Sequence, residues 1–349
     1  MKNLALALVL ILAAAAVLLL SDLKNRHASS GRSPQSAGTT APPRDIRLVM
    51  FNQTAFVEDS RRGMLDGLAR AGLAPEVDFH VTEYNANGDT ATLAGIAGTV
   101  AADRPDLVLA ISTPVLQALL RIGGREIPIV FTGVADGVRA GAGKSETDHN
   151  PLVTGITTQS PFAGMARLLH ETLPGVRKVG TLFTPTEVNS ELYRAALEKE
   201  LGRYGIELVA IPVASSAETA TAADELCSRD IGAVCQIVDN TTRPGFQLIG
   251  RKAAEKELPL FVFETSQMKG GAVLALARDY YQAGLEAADK AVRVLRGESP
   301  GAIPFGNTQS EALLLNPDAA RRHRLRLSSE LLKQARTYVP DHNGKPVQQ

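Results

Sequence analysis

Side chains able to grip a small polar molecule recur at one kind of place in this chain, the few residues after a short apolar run. Asn52 and Gln53 follow the run 46–51, Ser112 and Thr113 follow 107–111, and Thr132 and Asp136 follow 127–131. Further on, Thr184, Glu187, Asn189 and Ser190 follow 179–183, Asp239, Asn240 and Thr241 follow 232–238, and Glu264 follows 259–263. The first set is rich in hydroxyls. Ser112-Thr113-Pro114 reads as a helix start, with a hydroxyl at the cap and proline at the first helical position, where its missing N–H costs nothing. Such a start turns backbone N–H groups and the positive end of the helix dipole toward an anion such as a carboxylate. A second helix start falls at Asn189. Asp239, Glu264 and Glu187 supply carboxylates suited to an ammonium group. Anion donors on one wall and carboxylates on another suit a zwitterion such as an amino acid. Each group also has a local reading: Ser112, Thr113, Asn189 and Ser190 as plain caps, Asp239-Asn240 as a turn, Asp136 and Glu187 as solvated loop acids. Phe51, Phe56, Phe131 and Phe183 lie near the same exits and serve equally as ligand-stacking rings or as core.

Catalytic arrangements are not evident. Of six histidines, His27 lies in a polar stretch, His149 in a loop, His323 and His342 near the C-terminus, His80 in a strand and His170 in a helix. No metal-ligand spacing, Gly-rich phosphate loop or nucleophile-elbow serine appears. The expectation is a non-enzymatic binder with no cofactor and no metal. Lysine plus arginine equals aspartate plus glutamate at 37 each, so nothing suggests a nucleic-acid-binding face. Cys227 and Cys235 fit either free core thiols or, in an oxidising compartment, a disulfide.

The elements that must position these groups alternate strand and helix along the chain, which implies an α/β fold with parallel sheets. The pattern restarts near residue 157, so two doubly wound lobes are expected. Ligands in such sheets bind beyond the carboxyl ends of the strands, here in an interlobe cleft. Residues 1–22, with Lys2 ahead of 17 uncharged apolar positions at 4–20, read as a signal peptide or signal-anchor helix. Residues 23–45 are rich in Ser, Gly, Thr and Pro and read as a flexible linker. The body of the chain is thus expected outside the cytoplasm, periplasmic or extracytoplasmic, and tethered to the inner membrane if the helix is retained.

Several passages together resemble the ABC-transporter substrate-binding proteins of the branch associated with aromatic amino acids. They are GMLDGLARAGL, RPDLVLAISTPVLQALL, IPIVFTGVAD, VGTLFTPTEVNSE, VDNTT, LPLFVFE, ARDYYQAGLEAADKAVRVLRGESP and EALLLNPDAARRHRLRL, in family order over roughly residues 46–335. The resemblance implies a type I periplasmic-binding fold with three crossovers and hinge closure around one small ligand. The lobes would then comprise 46–157 plus 278–304 and 158–277 plus 305–338. It also implies that Ser112 and Thr113 meet a ligand carboxylate, that Asn189 and Ser190 face them, and that Asp239 and Asn240 hold an α-amino group. Partners implied are an amino-acid-like ligand, an ABC permease and its ATPase, with the chain itself a monomer. Two departures stand out: FTPTEVNS in the second-lobe loop, and an acid in ETSQMKGG where smaller residues are common. A membrane-tethered sensor signalling to a kinase is the alternative role.

Overall fold

Leu107–Ile111 has no polar residue to turn toward water, so it must bury both faces, and all five residues are buried inside a sheet. The computed structural model describes residues 42–122 and 127–339, and every described element belongs to one compact unit beginning at Pro43. The expected signal segment, nearly all of the linker, His27 and His342 lie outside the described residues. Among those described, no helix is long and apolar enough to cross a membrane.

The first sheet contains β1 (Arg44–Met50), β2 (Phe79–Asn85), β3 (Leu107–Ile111), β4 (Ile129–Val134), β5 (Val153–Thr157) and the late strand β11 (Gly306–Asn307). Their order is β11-β5-β4-β3-β1-β2, and every pairing is parallel. One face is covered by α1 (Ala55–Arg70) and α8 (Tyr280–Leu295), whose Met64, Leu68, Ala283 and Ala287 share a core with Ile46, Leu48 and Leu109. The other face is covered by α2 (Thr90–Asp103) and α3 (Thr113–Ile122), with Leu93, Ala97, Val115 and Leu116 packed on Val108 and Ala110.

The second sheet is built from β6 (Lys178–Phe183), β7 (Glu207–Pro212), β8 (Ala233–Gln236), β9 (Leu260–Val262), β10 (Leu274–Arg278), β12 (Glu311–Leu315) and β13 (Arg336–Thr337). Its order is β13-β12-β10-β9-β8-β6-β7, parallel except where β12 runs antiparallel to β10. Helices α4 (Phe162–Thr172) and α5 (Val188–Gly202) pack on one face, and α6 (Thr219–Cys227) and α7 (Phe246–Glu255) on the other. The chain passes between sheets after Thr157, after Arg278 and after Asn307.

Four local features differ from the sequence expectations. Arg44 and Asp45 already pair with Phe79 and His80, so the first strand starts inside the stretch read as linker. Gly306 and Asn307 pair with Ile156 and Thr157, which places the third crossing after residue 307 and not at 304. Strand β4 continues to Val134 through a register shift after Phe131. Its Gly133 has φ +66°, a backbone state that glycine adopts without steric cost. The final basic helix is two short ones, α9 (Pro317–Arg322) and α10 (Ser329–Gln334). Cys227 and Cys235 are free and buried, and burial pushes the Cys227 thiol up to about 11.

Helices α1 and α8 approach closely enough that a Cβ on Gly63 would lie 2.2 Å from the Tyr281 carbonyl oxygen. Neither backbone can yield there without moving a whole helix. Gly63→Val is therefore expected to destabilise the chain by at least the ~1–3 kcal/mol of an overpacked core, read as a lower urea midpoint; an unchanged midpoint would contradict the packing described.

Candidate ligand-binding cleft

The carboxyl ends of the strands of both sheets converge on one small cavity, the place where ligands of such sheets bind. The first lobe lines it with Phe56, Ser112, Thr113, Gly133, Ala135 and Tyr280. Thr158, in the first crossing segment, and Asn189, Tyr193, Val238, Asn240 and Arg243 complete it.

Ser112 ends β3 and starts α3, and its backbone is held in the left-handed region at φ +95°. Its N–H donates to the Thr132 carbonyl at 3.1 Å, and its carbonyl accepts from Leu116 N at 3.2 Å. The residue is 1% exposed, yet its Oγ has no partner in the protein. Thr113 Oγ1 accepts from Ala135 N at 3.3 Å, which ties the β3 exit to the β4 exit. Asn52 is buried and accepts from Thr54 Oγ1 at 3.3 Å, leaving its Nδ2 unpartnered, as is Thr132 Oγ1. Neither residue lines the cavity. Gln53 is exposed because the chain turns outward there into α1. Asp136 accepts from Arg139 N at 3.0 Å, so it stabilises its own turn and does not reach the cavity.

The second-lobe wall begins where β6 and β8 part. Their ladder pairs only Val179 with Ala233 and Gly180 with Val234. Beyond that, the Gln236 side chain replaces it, accepting from Leu182 N and donating to Leu182 O, both at 3.0 Å. Asp239 sits past this opening, fully buried. Its Oδ1 accepts from Thr242 N and Oγ1, both at 2.7 Å. Its Oδ2 accepts from Ser190 Oγ at 2.8 Å and Thr184 Oγ1 at 3.2 Å. Burial, then the neighbouring Glu187, raises its pKa above the ordinary carboxylate range. Four donors occupy the carboxylate, so Asp239 holds the loops together, and it is not among the residues that line the cavity. Ser190 is also spent, because its Oγ accepts from Thr184 N at 2.7 Å while donating to Asp239.

Glu187 faces the loop that follows Asp239. It accepts from Thr241 N at 2.9 Å, Thr241 Oγ1 at 2.6 Å, Asn240 N at 2.9 Å, Asn240 Nδ2 at 2.8 Å and Asn189 Nδ2 at 3.1 Å. The amide oxygens of Asn189 and Asn240 remain buried without partners, and both residues line the cavity.

Sequence reading missed Arg243, Tyr280, Tyr193 and Thr158. Arg243 Nε donates to Glu264 Oε2 at 2.7 Å, with the two side chains only 9% and 3% exposed. Its guanidinium lies 3.9 Å from the Phe56 ring centroid across the cleft, and Phe56 meets Tyr280 edge-on at 5.1 Å. Burial works against charge on Arg243, but Glu264, Tyr280 and Asp239 together outweigh it and the pKa rises. Glu264 is thereby committed to an ion pair and does not line the cavity. Tyr193 Oη donates to the Thr158 carbonyl at 3.0 Å, and burial pushes its phenol up to about 12, so it stays neutral. Of the four phenylalanines near strand exits, Phe56 alone lines the cavity. Phe51 and Phe131 are core, and Phe183 packs on the second-lobe core under the Arg194 guanidinium.

The family model described as "ABC transporter substrate binding protein" matches residues 48–339. Among curated proteins, the chain is 24% identical over 330 residues to a tyrosine-binding protein of Clostridioides difficile, covering 94% of each. A conserved domain protein of Vibrio cholerae has a solved structure that overlays with a TM-score of 0.80 at 27% identity, covering 85% of this chain and 99% of that one. A Streptococcus pneumoniae ABC domain in complex with L-Trp overlays at 0.78 with 22% identity, covering 84% and 99%.

Because Asp239 takes four donors and the Thr242 N–H cannot turn elsewhere, Asp239→Ala is expected to destabilise the second lobe. Each donor left unsatisfied costs ~1–3 kcal/mol, so a marked loss in urea unfolding is expected even without ligand. Unchanged stability with lost ligand binding would instead return Asp239 to the role of a ligand contact.

Proposed function

We propose that this chain, which belongs to the family of ABC transporter substrate binding proteins, holds an amino acid or similar small zwitterion between its lobes and delivers it to a membrane permease outside the cytoplasm. The observation that carries this reading is the opposed polarity of the two walls. On the first-lobe side, the Ser112 hydroxyl has no protein partner and stands at the start of α3, where first-turn N–H groups favour a carboxylate. On the second-lobe side, the unpartnered groups are the amide oxygens of Asn189 and Asn240, which accept from an ammonium group. Phe56, Tyr193 and Tyr280 supply ring surface between them, which suits an apolar or aromatic side chain. The names of the relatives, one tyrosine-binding and one crystallised with L-Trp, agree with that class.

Walls drawn from both lobes link occupancy to closure, since the ligand completes contacts that exist only when the lobes meet. A permease that recognises the closed shape then receives only loaded protein. The reading is tested by a thermal-shift screen against the amino acids, with sugars and purines as controls. A true ligand at one hundred times its Kd adds about 2.7 kcal/mol of stability. The expected result is a shift from one amino-acid group, with Ser112→Ala weakening that ligand about tenfold, the loss of roughly one hydrogen bond. Shifts with sugars or purines alone would overturn the zwitterion assignment.

A further inference from the structure

We infer that Glu187 sets the hydrogen-bonding polarity of the second-lobe wall and so makes the cavity selective for a protonated amine. The inference rests on the zwitterion reading for its ligand class, but its physical basis is independent of any ligand. A primary amide can present either its oxygen or its NH2 group, because half a turn about the last bond exchanges them. A carboxylate has no such choice, since it only accepts. Asn189 and Asn240 both direct Nδ2 at the same Glu187 oxygen, at 3.1 and 2.8 Å. Turning either amide would replace a charge-assisted hydrogen bond with two facing oxygens. The carboxylate itself cannot swing away, because Thr241 N, Thr241 Oγ1 and Asn240 N hold its two oxygens.

The consequence is a wall of acceptors. Asn189 and Asn240 are 7% and 6% exposed, their Oδ1 atoms have no protein partner, and both side chains line the cavity. An ammonium group carries three donors and satisfies both oxygens. A hydroxyl in the same place satisfies one, and a keto oxygen repels both. The carboxylate of Glu187 stands behind both amides and adds attraction for positive charge. The cation lining the cavity, Arg243, is already paired with Glu264. Glu187 is thus a positioning residue that acts through two asparagines and leaves no free oxygen direction for the ligand.

The experiment compares L-tyrosine with 4-hydroxyphenyllactate and 4-hydroxyphenylpyruvate, which replace the amine by a hydroxyl and by a keto oxygen. Calorimetric titration of the wild-type chain is expected to rank them amine, hydroxyl, keto, each step about tenfold or more. In Glu187→Gln the new side chain can donate as well as accept, so the asparagine amides are released. Affinity for tyrosine is then expected to fall while that for the hydroxy acid holds, narrowing the ratio about tenfold. An equal loss for all three compounds would show a merely structural role and overturn the inference. A second measurement needs no ligand: proton–nitrogen spectra of the side-chain amides. In the wild type, the Asn189 and Asn240 NH2 protons are expected downfield and slow to exchange, and in Glu187→Gln they lose both properties. Amide protons that exchange as freely as exposed ones in the wild type would overturn the inference even if tyrosine binds. Protected amides in a chain that binds no amino acid would leave Glu187 in its role and sink only the zwitterion reading.

Discussion

A carboxylate accepts hydrogen bonds and never donates one, and the second-lobe wall of the cleft is built on that asymmetry. Asp239 draws in Thr184, Ser190 and Thr242, and Glu187 draws in Asn189, Asn240 and Thr241. Between them, two acids fix the exits of β6 and β8 in one arrangement. Burying an ionised group carries a penalty of several kcal/mol even after relaxation, and the neighbouring Glu187 adds to that cost for the fully buried Asp239. Donation from hydroxyls and backbone amides works against that cost without cancelling it, and the Asp239 pKa stays raised. The Gln236 side chain makes room for this cluster by bridging to β6 where the β6–β8 ladder has stopped.

A second constraint runs across the cleft. Glu264 holds Arg243, Arg243 lies on the Phe56 ring, and Phe56 meets Tyr280, so an ion pair in one lobe is stacked on aromatic packing in the other. A desolvated cation–π contact contributes about 2 kcal/mol, and this one exists only with the lobes together. Parting of the lobes, as the proposed function requires for ligand entry, would give this contact up. Arg243 also lines a second cavity with Thr54, Ala55, Gln247 and Gln267, so its side chain borders both.

The alternation of strand and helix was legible because inner parallel strands are continuous apolar runs, and part of the candidate cleft's lining was legible because polar residues such as Ser112, Thr113, Asn189 and Asn240 follow those runs. Roles were harder to read than places. Asp239 and Glu187 look like ligand carboxylates in the sequence, since nothing there reveals that Thr184, Ser190, Thr241 and Thr242 will exhaust them. Arg243 follows Asp-Asn-Thr-Thr in what reads as a solvated turn, and only the fold brings it under Glu264 and over Phe56. Tyr280 and Phe56 sit in the first turns of helices, where periodicity cannot say whether a ring faces core or cleft. One signal was available: Gln236 interrupts an apolar run, and a buried amide in a strand must find backbone partners.

Ser112 shows most clearly what the fold gives up for the cleft. In an ordinary helix start, the cap residue is extended and its hydroxyl satisfies an N–H of the first turn, worth about 1 kcal/mol. Ser112 takes φ +95°, a region that costs a non-glycine residue of order 1–3 kcal/mol, and its Oγ caps nothing. The bonds to Thr132 O and Leu116 N on either side hold it there against that cost. Glycine would relieve the strain but remove the hydroxyl, and an extended serine would turn its hydroxyl back onto the helix. The strained serine does neither. It leaves the hydroxyl and the first-turn N–H groups available together on the same wall, opposite the two oxygens that Glu187 turns outward.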